Sequence, residues 1–207
     1  MAIPMAYPAW SASRQPASPF NSISLSNSTL GIRLDLSVNS THLKPGDGIA
    51  ITLSEHNLHL SSNEVGAWWG WKDHGLRFAP GPGCPTADLP IGFFVLNGYY
   101  TKDSISNGHP LQLYMPGSAY WGSISCPEIL SARSYVFDPE SSLATIMGTC
   151  NPCSTVPIEL QRQVAGLVDT TQSFHSPSTF YPFSHGVYTL VGGDEWGDLL
   201  LLHFTVS

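Results

Sequence analysis

The amino-acid sequence predicts an all-β protein: a single-domain β-sandwich, immunoglobulin-like or jelly-roll, with long decorated loops. Three observations favour this class. Apolar and polar residues alternate with a period of two in several segments, as expected of half-buried strands. No segment shows the 3.6-residue apolar period of an amphipathic helix. Gly and Pro, 19 and 17 of the 207 residues, mark turns throughout the chain, and both sandwich topologies consist of short strands joined by such turns.

The opening strands follow directly from the alternation. Residues 30–38 (LGIRLDLSV) place an apolar side chain at every even position, which predicts one buried and one exposed face. After the Pro45-Gly46 turn, residues 49–53 repeat this pattern. The same reasoning predicts further strands over residues 91–96, 111–115, 134–137, 143–147 and 157–168, the last with a bulge at Gly166.

Two apolar runs close the chain, residues 187–191 and residues 199–206, and they flank a Gly-Gly-Asp-Glu-Trp-Gly connection. We predict that the two runs pair as a hairpin. The second run is apolar on nearly every residue, which predicts a central strand covered on both faces. Asp194 and Glu195 in the connection are interpreted as solvated turn residues. Adjacent residues on a turn do not flank a glycosidic bond, so they do not match the paired carboxylates of a glycoside hydrolase.

Composition favours an extracellular or cell-surface protein. Charged residues make up 11% of the chain, less than half of the roughly 25% usual in globular proteins, so Ser, Thr, Asn and Tyr must supply the polar surface. The net charge of −7, without basic runs, excludes a nucleic-acid-binding footprint. No apolar window is long enough to predict a transmembrane helix. The first ten residues lack a basic region and contain Pro4 and Pro8, so they do not match a secretory signal peptide.

Cysteines and glycosylation motifs agree with that compartment. The candidates for disulfide formation, which allow three pairings, are Cys84, Cys126, Cys150 and Cys153. The Cys-Asn-Pro-Cys motif at residues 150–153 predicts a small disulfide across a tight turn, which leaves the other two cysteines to pair with each other. A redox motif would open a helix in an α/β unit, and a zinc ribbon would need a second CxxC motif. Asn27 and Asn39 each begin an Asn-Ser-Thr motif and are candidate N-glycosylation sites.

No catalytic, cofactor or metal site is predicted from the sequence. A nucleophile elbow, a phosphate-binding loop and a HExxH motif are all absent from it. His56 and His59 are three positions apart, and on a strand such residues point to opposite faces, so joint metal ligation is not predicted. The chain is therefore predicted not to be an enzyme.

Residues 1–22 are predicted to form an N-terminal arm, and residues 23–207 the sandwich domain. Pro4 and Pro8 punctuate the start of this arm. The apolar residues that alternate with them, and that are candidate subunit contacts, are Ile3, Met5, Tyr7 and Ala9. This is the pattern of an edge strand or a donated strand, because Pro is tolerated where no ladder N–H is required. The arm either lies on its own domain or is donated to a neighbouring subunit.

A long irregular stretch, residues 55–90, contains an aromatic cluster formed by Trp68, Trp69 and Trp71. A loop of that length is expected to be functional or pinned by cross-links. Exposed tryptophans stack on sugars or contact other proteins, whereas buried ones would cap an open end of the sandwich. Both interpretations stay open. Exposed tryptophans would support an alternative function, an extracellular adhesin-like module that binds carbohydrate or protein.

Two segments resemble the first and last strands of immunoglobulin-like β-sandwiches, in particular those of secreted archaeal surface proteins. They are LKPGDGIAITLSEHN at residues 43–57 and GVYTLVGGDEWGDLLLLHF at residues 186–204. Some proteins of that kind polymerise into extracellular threads or pili, in which the N-terminal strand of one subunit completes the sheet of the next. The resemblance implies the same role for the arm. The leading hypothesis is a secreted structural glycoprotein that self-assembles into an extracellular filament or surface layer, with copies of itself as partners.

Overall fold

The structure is a computed structural model that describes residues 21–67, 91–108, 111–113, 133–147, 158–169, 173–176, 179–181 and 183–207. The fold is all-β and sandwich-like, which confirms the predicted class. The described residues contain no α-helix, and their helical content is one 3₁₀ turn over Ile105–Asn107. No helix among them is long and apolar enough to cross a bilayer.

The described part of the chain forms fifteen strands, numbered in chain order. The first eight are β1 (Asn21–Asn27), β2 (Ile32–Val38), β3 (His42–Leu43), β4 (Gly48–Asn57), β5 (Asn63–Gly66), β6 (Ile91–Asn97), β7 (Gln112–Leu113) and β8 (Ser134–Phe137). The other seven are β9 (Leu143–Met147), β10 (Ile158–Gln161), β11 (Gln163–Asp169), β12 (Ser173–Ser176), β13 (Thr179–Tyr181), β14 (Gly186–Asp194) and β15 (Leu199–Val206).

These strands form four sheets. Sheet A has the strand order β1-β2-β4-β11, and sheet B has the order β3-β15-β14-β6. Sheet C has the order β10-β9-β8-β5, and the small sheet D has the order β13-β12-β7. The described strands pair antiparallel except β3 and β15, which are parallel. Sheets A and B pack face to face, with β1 and β2 lying over β15.

The core between sheets A and B follows from the predicted alternation. Every second residue of β2 and of β4 is buried, and the residues between them are half-buried. In sheet B, Gly192 lies opposite this buried face. A Cβ atom at Gly192 would lie 2.8 Å from Leu53 Cδ1 and 3.2 Å from Leu36 Cδ1, so the glycine allows the two sheets to approach closely.

Most of the predicted strands are confirmed, among them β2, β4, β6, β8 and β9. The predicted strand over residues 157–168 is interrupted at Arg162 and not at Gly166, which pairs regularly with Ile51. The polar strand β1 was not predicted, and because it begins at Asn21 it includes the last two residues of the predicted arm. Only Ile23 and Leu25 of β1 pack against the core, which explains why its apolar pattern is weak.

The closing hairpin is confirmed, with a register that runs from Gly186 opposite Val206 to Gly193 opposite Leu199. β15 lies between β3 and β14, as predicted for a central strand, although β3 pairs only with Thr205 and Val206, and the prediction that both of its faces are fully covered is wrong. β15 is buried on alternate residues from Leu200 onward, and its neighbour β14 is the strand that pairs fully on both sides. Continuous burial occurs instead in β6 and in residues 188–194 of β14, because Ile105 of the 3₁₀ turn covers their outer face.

Candidate functional site

Arg162 lies at a corner where one run of chain passes from sheet C to sheet A. The preceding strand β10 pairs with β9 in sheet C, and the following strand β11 pairs with β4 in sheet A. The Arg162 N–H donates to the Ser142 carbonyl at 2.8 Å, and its carbonyl accepts from the Glu55 N–H at 2.9 Å. A strand that changes sheets at a break in its ladder forms such corners in β-sandwiches.

The Arg162 side chain points into the protein and forms a fully buried ionic cluster with Glu55 and Glu195. Its Nε and Nη2 atoms both donate to the Glu55 carboxylate, and Nη2 also lies 3.0 Å from Glu195 Oε1. All three side chains have 0% exposure. A guanidinium that donates in this forked way orients a carboxylate more strongly than a lysine would.

Aromatic rings enclose the guanidinium. Its central carbon lies 4.3 Å from the ring centroid of Tyr135, 5.2 Å from that of Trp196 and 6.0 Å from that of Phe137. Trp196 is held in place because its Nε1 donates to the Gly66 carbonyl at 2.8 Å. Cation–π contacts of this kind strengthen when water is excluded. The cluster therefore joins sheet A through Glu55, sheet C through Tyr135, and the closing hairpin of sheet B.

The Asp194–Glu195 turn is buried, so its interpretation as a solvated tip is wrong. Asp194 and Glu195 are 1% and 0% exposed. Asp194 Oδ1 accepts the backbone N–H groups of Trp196 and Asp198, each at 3.0 Å, which folds the turn inward. The turn is fixed to β1 because Asn27 Nδ2 donates to the Asp198 carboxylate at 2.9 Å. The charge of Arg162 attracts the turn to this end of the sandwich.

Among the described residues, the cluster and the neighbouring Asp194 contribute three carboxyl groups and one guanidinium. Burial raises the pKa of Glu55, and the charge of Arg162 offsets only part of that rise. Burial raises the pKa of Asp194 well above its usual value, and the nearby carboxylates of Glu55 and Asp198 raise it further. Three ionised carboxylates beside one guanidinium would leave uncompensated negative charge in a dry site. Burial therefore favours the protonated form of Glu55 and of Asp194, and the enclosed geometry makes the cluster a structural link between the three sheets.

A second feature is the outer edge of β15, here called the open edge. Thr205 and Ser207 direct their N–H groups away from β14, to Thr41 and Leu43 carbonyls, each at 2.9 Å. Alternate residues of a strand direct their backbone groups to opposite edges, so Leu201 and His203 face the same way. Among the described strands, none pairs with this edge before Thr205.

Two aromatic side chains flank the open edge. The His203 ring stacks on Tyr99, with ring centroids 4.1 Å apart and planes inclined by 10°. His203 Nε2 lies 2.8 Å from the Tyr100 carbonyl oxygen. Tyr99 is 67% exposed, so the outer face of sheet B presents an exposed aromatic ring stacked on His203 of β15. The described residues contain no group of three or more His, Cys, Asp or Glu side chains arranged to hold a metal ion.

Most residues singled out from the sequence lie outside the described residues. These are Ile3, Met5, Tyr7, Ala9, Trp68, Trp69, Trp71, Cys84, Cys126, Cys150 and Cys153. Of the candidate glycosylation sites, Asn27 donates to Asp198 as described above. Asn39 lies in the turn after β2, where its Oδ1 accepts the Ala50 N–H at 2.8 Å.

Sequence reasoning missed the ionic cluster, although a signal for it exists. Glu55 continues the odd-numbered positions of β4 that face the core, and Arg162 shares its parity with the flanking residues Leu160 and Val164. A charge on the buried face of an alternating strand indicates a buried partner.

Comparisons with models of known protein families, with curated proteins and with solved structures found no match to this chain.

Proposed function

We propose that the protein is a secreted structural subunit that self-assembles into an extracellular filament or surface layer. Residues 1–20 of one copy pair with the open edge of β15 in the next copy. The observation that carries this proposal is the open edge itself, an apolar strand with a row of outward N–H and C=O groups. An exposed edge of that kind is a template for pairing with another chain, and natural proteins normally cover or blunt it.

The composition of the arm suits this edge. Backbone groups of alternate residues point to opposite edges of a strand, so all odd-numbered residues of the arm face one edge. The backbone groups of Tyr7 and its odd-numbered apolar neighbours can then hydrogen-bond to β15. Those of Pro4 and Pro8 face solvent, where no N–H is needed. The donated strand becomes a new edge of sheet B, and its prolines prevent further pairing.

The chemistry of the rest of the chain supports an extracellular role for such an assembly. The charged fraction is only 11%, so few surface ion pairs are available for salt to screen. The charges that cross-link the sheets are instead buried at Arg162, where salt screens them far less. A subunit with this interior is suited to a medium of variable ionic strength.

Removal of residues 1–20 is expected to abolish assembly while leaving a folded monomer. Negative-stain electron microscopy and sedimentation of the full-length and shortened chains test this expectation. A matched pair at Leu201 tests the edge: Leu201→Pro removes one outward N–H, whereas Leu201→Ala shortens the same side chain and keeps that donor.

We expect Leu201→Ala to assemble and Leu201→Pro to remain monomeric. The proposal would be contradicted if the shortened chain assembled with the same concentration dependence as the full-length chain. A full-length chain that stays monomeric under all conditions would contradict it as well.

A further inference from the structure

Strand β1 (Asn21–Asn27) is the outer strand of sheet A, and among the described strands only β2 pairs with it. All of its residues pair with β2 in one unbroken register, so it contains no bulge. Its sequence, NSISLSN, has no charged residue and no proline. Charges, prolines and bulges are the usual means by which edge strands avoid pairing with another chain, and β1 has none of them.

The ladder between β2 and β4 shows which residues of β1 direct their backbone groups outward. The Leu58 N–H donates to the carbonyl of Gly31, the residue before β2, so odd-numbered residues of this segment face β4. The even-numbered residues of β2 therefore face β1, where they lie opposite its odd-numbered residues. The outward N–H and C=O groups of β1 consequently belong to Ser22, Ser24 and Ser26.

The sequence of β1 reads almost the same in both directions. About its central residue, Ser24, asparagine mirrors asparagine, serine mirrors serine, and Ile23 mirrors Leu25. Two β1 strands that pair antiparallel about a two-fold axis at Ser24 therefore place like residues opposite each other. Because an outward-facing residue must lie opposite another outward-facing residue, such an axis has to pass through a residue and not between two. The centre of this palindrome meets that condition.

We propose that β1 is a self-pairing site, at which a second copy of this chain binds through its own β1 with the two-fold axis at Ser24. The contact joins two four-stranded A sheets into one continuous sheet. Ser24 exchanges backbone hydrogen bonds with its counterpart in the second copy, and Ser22 does so with Ser26. On the core side, Ile23 lies beside Leu25 of the second copy, and both already pack against the core of their own domain.

The charges beside β1 are compatible with this contact. Arg33 and Asp35 lie one strand further in, on β2, where they pair with each other at 2.9 Å. Asp35 lies opposite Ser24 and accepts a hydrogen bond from its hydroxyl group. The Asp35 residues of two paired copies are therefore three strand spacings apart, about 14 Å, which exceeds the Debye length of about 8 Å at physiological ionic strength.

This pair goes beyond the proposed filament contact, since it does not require the N-terminal arm. β1 lies over β15, so the outer edge of β1 and the open edge are on the same side of the sandwich. In the two-fold pair the open edges of the two copies face each other, whereas in strand donation that side receives residues 1–20 of another copy. The pair is therefore a state of the unassembled chain.

Cysteine trapping in the soluble, unassembled full-length chain tests the pair. Two opposed residues that exchange hydrogen bonds have Cα atoms about 5.5 Å apart, within the range that a disulfide bridges. We expect Ser24→Cys to form a disulfide-linked dimer on mild oxidation, joined through position 24 of both chains. Peptide mass spectrometry identifies that linkage and separates it from any that involves the natural cysteines.

Ser22→Cys and Ser26→Cys are the matched controls. Each of these positions is displaced from its own counterpart in the second copy by four residues, about 14 Å along the strand. Neither variant is therefore expected to link to itself, whereas a mixture of the two is expected to give mixed dimers.

A second comparison tests the backbone contact. Added to Ser24→Cys, Ser22→Pro removes one outward N–H from each copy and leaves the ladder to β2 intact, whereas Ser22→Ala keeps that N–H. We expect the proline to slow disulfide formation and the alanine to leave its rate unchanged.

Three outcomes would overturn the pair: no linked dimer in Ser24→Cys, equal self-linking of all three cysteine variants, or linking that Ser22→Pro does not slow. None of them bears on the assembly of a chain that lacks residues 1–20. The failure of this pair is therefore distinguishable from the failure of strand donation.

Discussion

Arg162→Met is expected to lower the free energy of unfolding at pH 7 by about 3–5 kcal/mol. The substitution removes the positive charge that faces Glu55 and Glu195, and both carboxylates are fully buried. Both carboxylates then lose the cation that Arg162 supplies in the enclosed site, which favours their protonation or hydration. Methionine fills a similar volume, which separates the loss of charge from the creation of a cavity.

Chemical denaturation followed by tryptophan fluorescence measures this effect. The matched control is Arg33→Met, because Arg33 pairs with Asp35 at 2.9 Å on the surface, with side chains 39% and 27% exposed. An exposed pair contributes about 0–1 kcal/mol. Equal losses in the two variants would contradict the assignment of Arg162 as the link between the sheets.

Asp194→Asn is expected to make the protein more stable than the unsubstituted chain at neutral and alkaline pH. The folded pKa of Asp194 is raised, so the folded chain keeps a proton that the unfolded chain releases above about pH 4. Stability therefore falls as pH rises from that value toward the folded pKa, by up to about 1.4 kcal/mol for each pH unit. Asparagine is neutral throughout, and its Oδ1 still accepts the Trp196 and Asp198 N–H groups.

Urea unfolding across a range from pH 4 to pH 9 measures this difference. We expect the variant and the unsubstituted chain to converge near pH 4 and to separate progressively above it. Asp47→Asn provides the matched control, since Asp47 is exposed and its Oδ2 also accepts a turn N–H, that of Lys44, at 2.8 Å. A constant difference across the pH range, or the same pH-dependent gain in Asp47→Asn, would contradict a protonated carboxyl at Asp194.

Periodicity predicted the strands that bury one face and failed where burial has a non-local cause. The alternation in β2 and β4 is local, so both strands are evident in the sequence. The strand β15 reads as central because Leu199 and Leu201 are apolar on its second face. Part of that face, at Leu199 and Leu201, packs against Ile105 and its neighbours, nearly 100 residues earlier, and the open edge lies beside it. Apolar residues indicate burial of a face, and they do not indicate pairing of an edge.

The ionic cluster shows the same limit. The parity of Glu55 and Arg162 marks both as core-facing, yet 107 residues separate them in the chain. Glu195 has no such marker, because a turn has no period, and an Asp-Glu pair on a turn is normally solvated. Its burial depends on three sheets meeting at one corner. The residues that point inward were therefore predictable, and their assembly into one site was not.

The central claim, that residues 1–20 pair with β15 of another copy, is tested most directly by cross-linking across that contact. A photo-reactive phenylalanine analogue replaces Tyr7, and equal amounts of light and ¹⁵N-labelled chains are assembled together, irradiated and digested. Mass spectrometry then identifies the cross-linked peptides. We expect adducts to residues 199–205, about half of which join a light chain to a heavy chain, as random mixing of donated strands requires. Adducts to β15 that never join light and heavy chains, or adducts that lie away from β15, would contradict it.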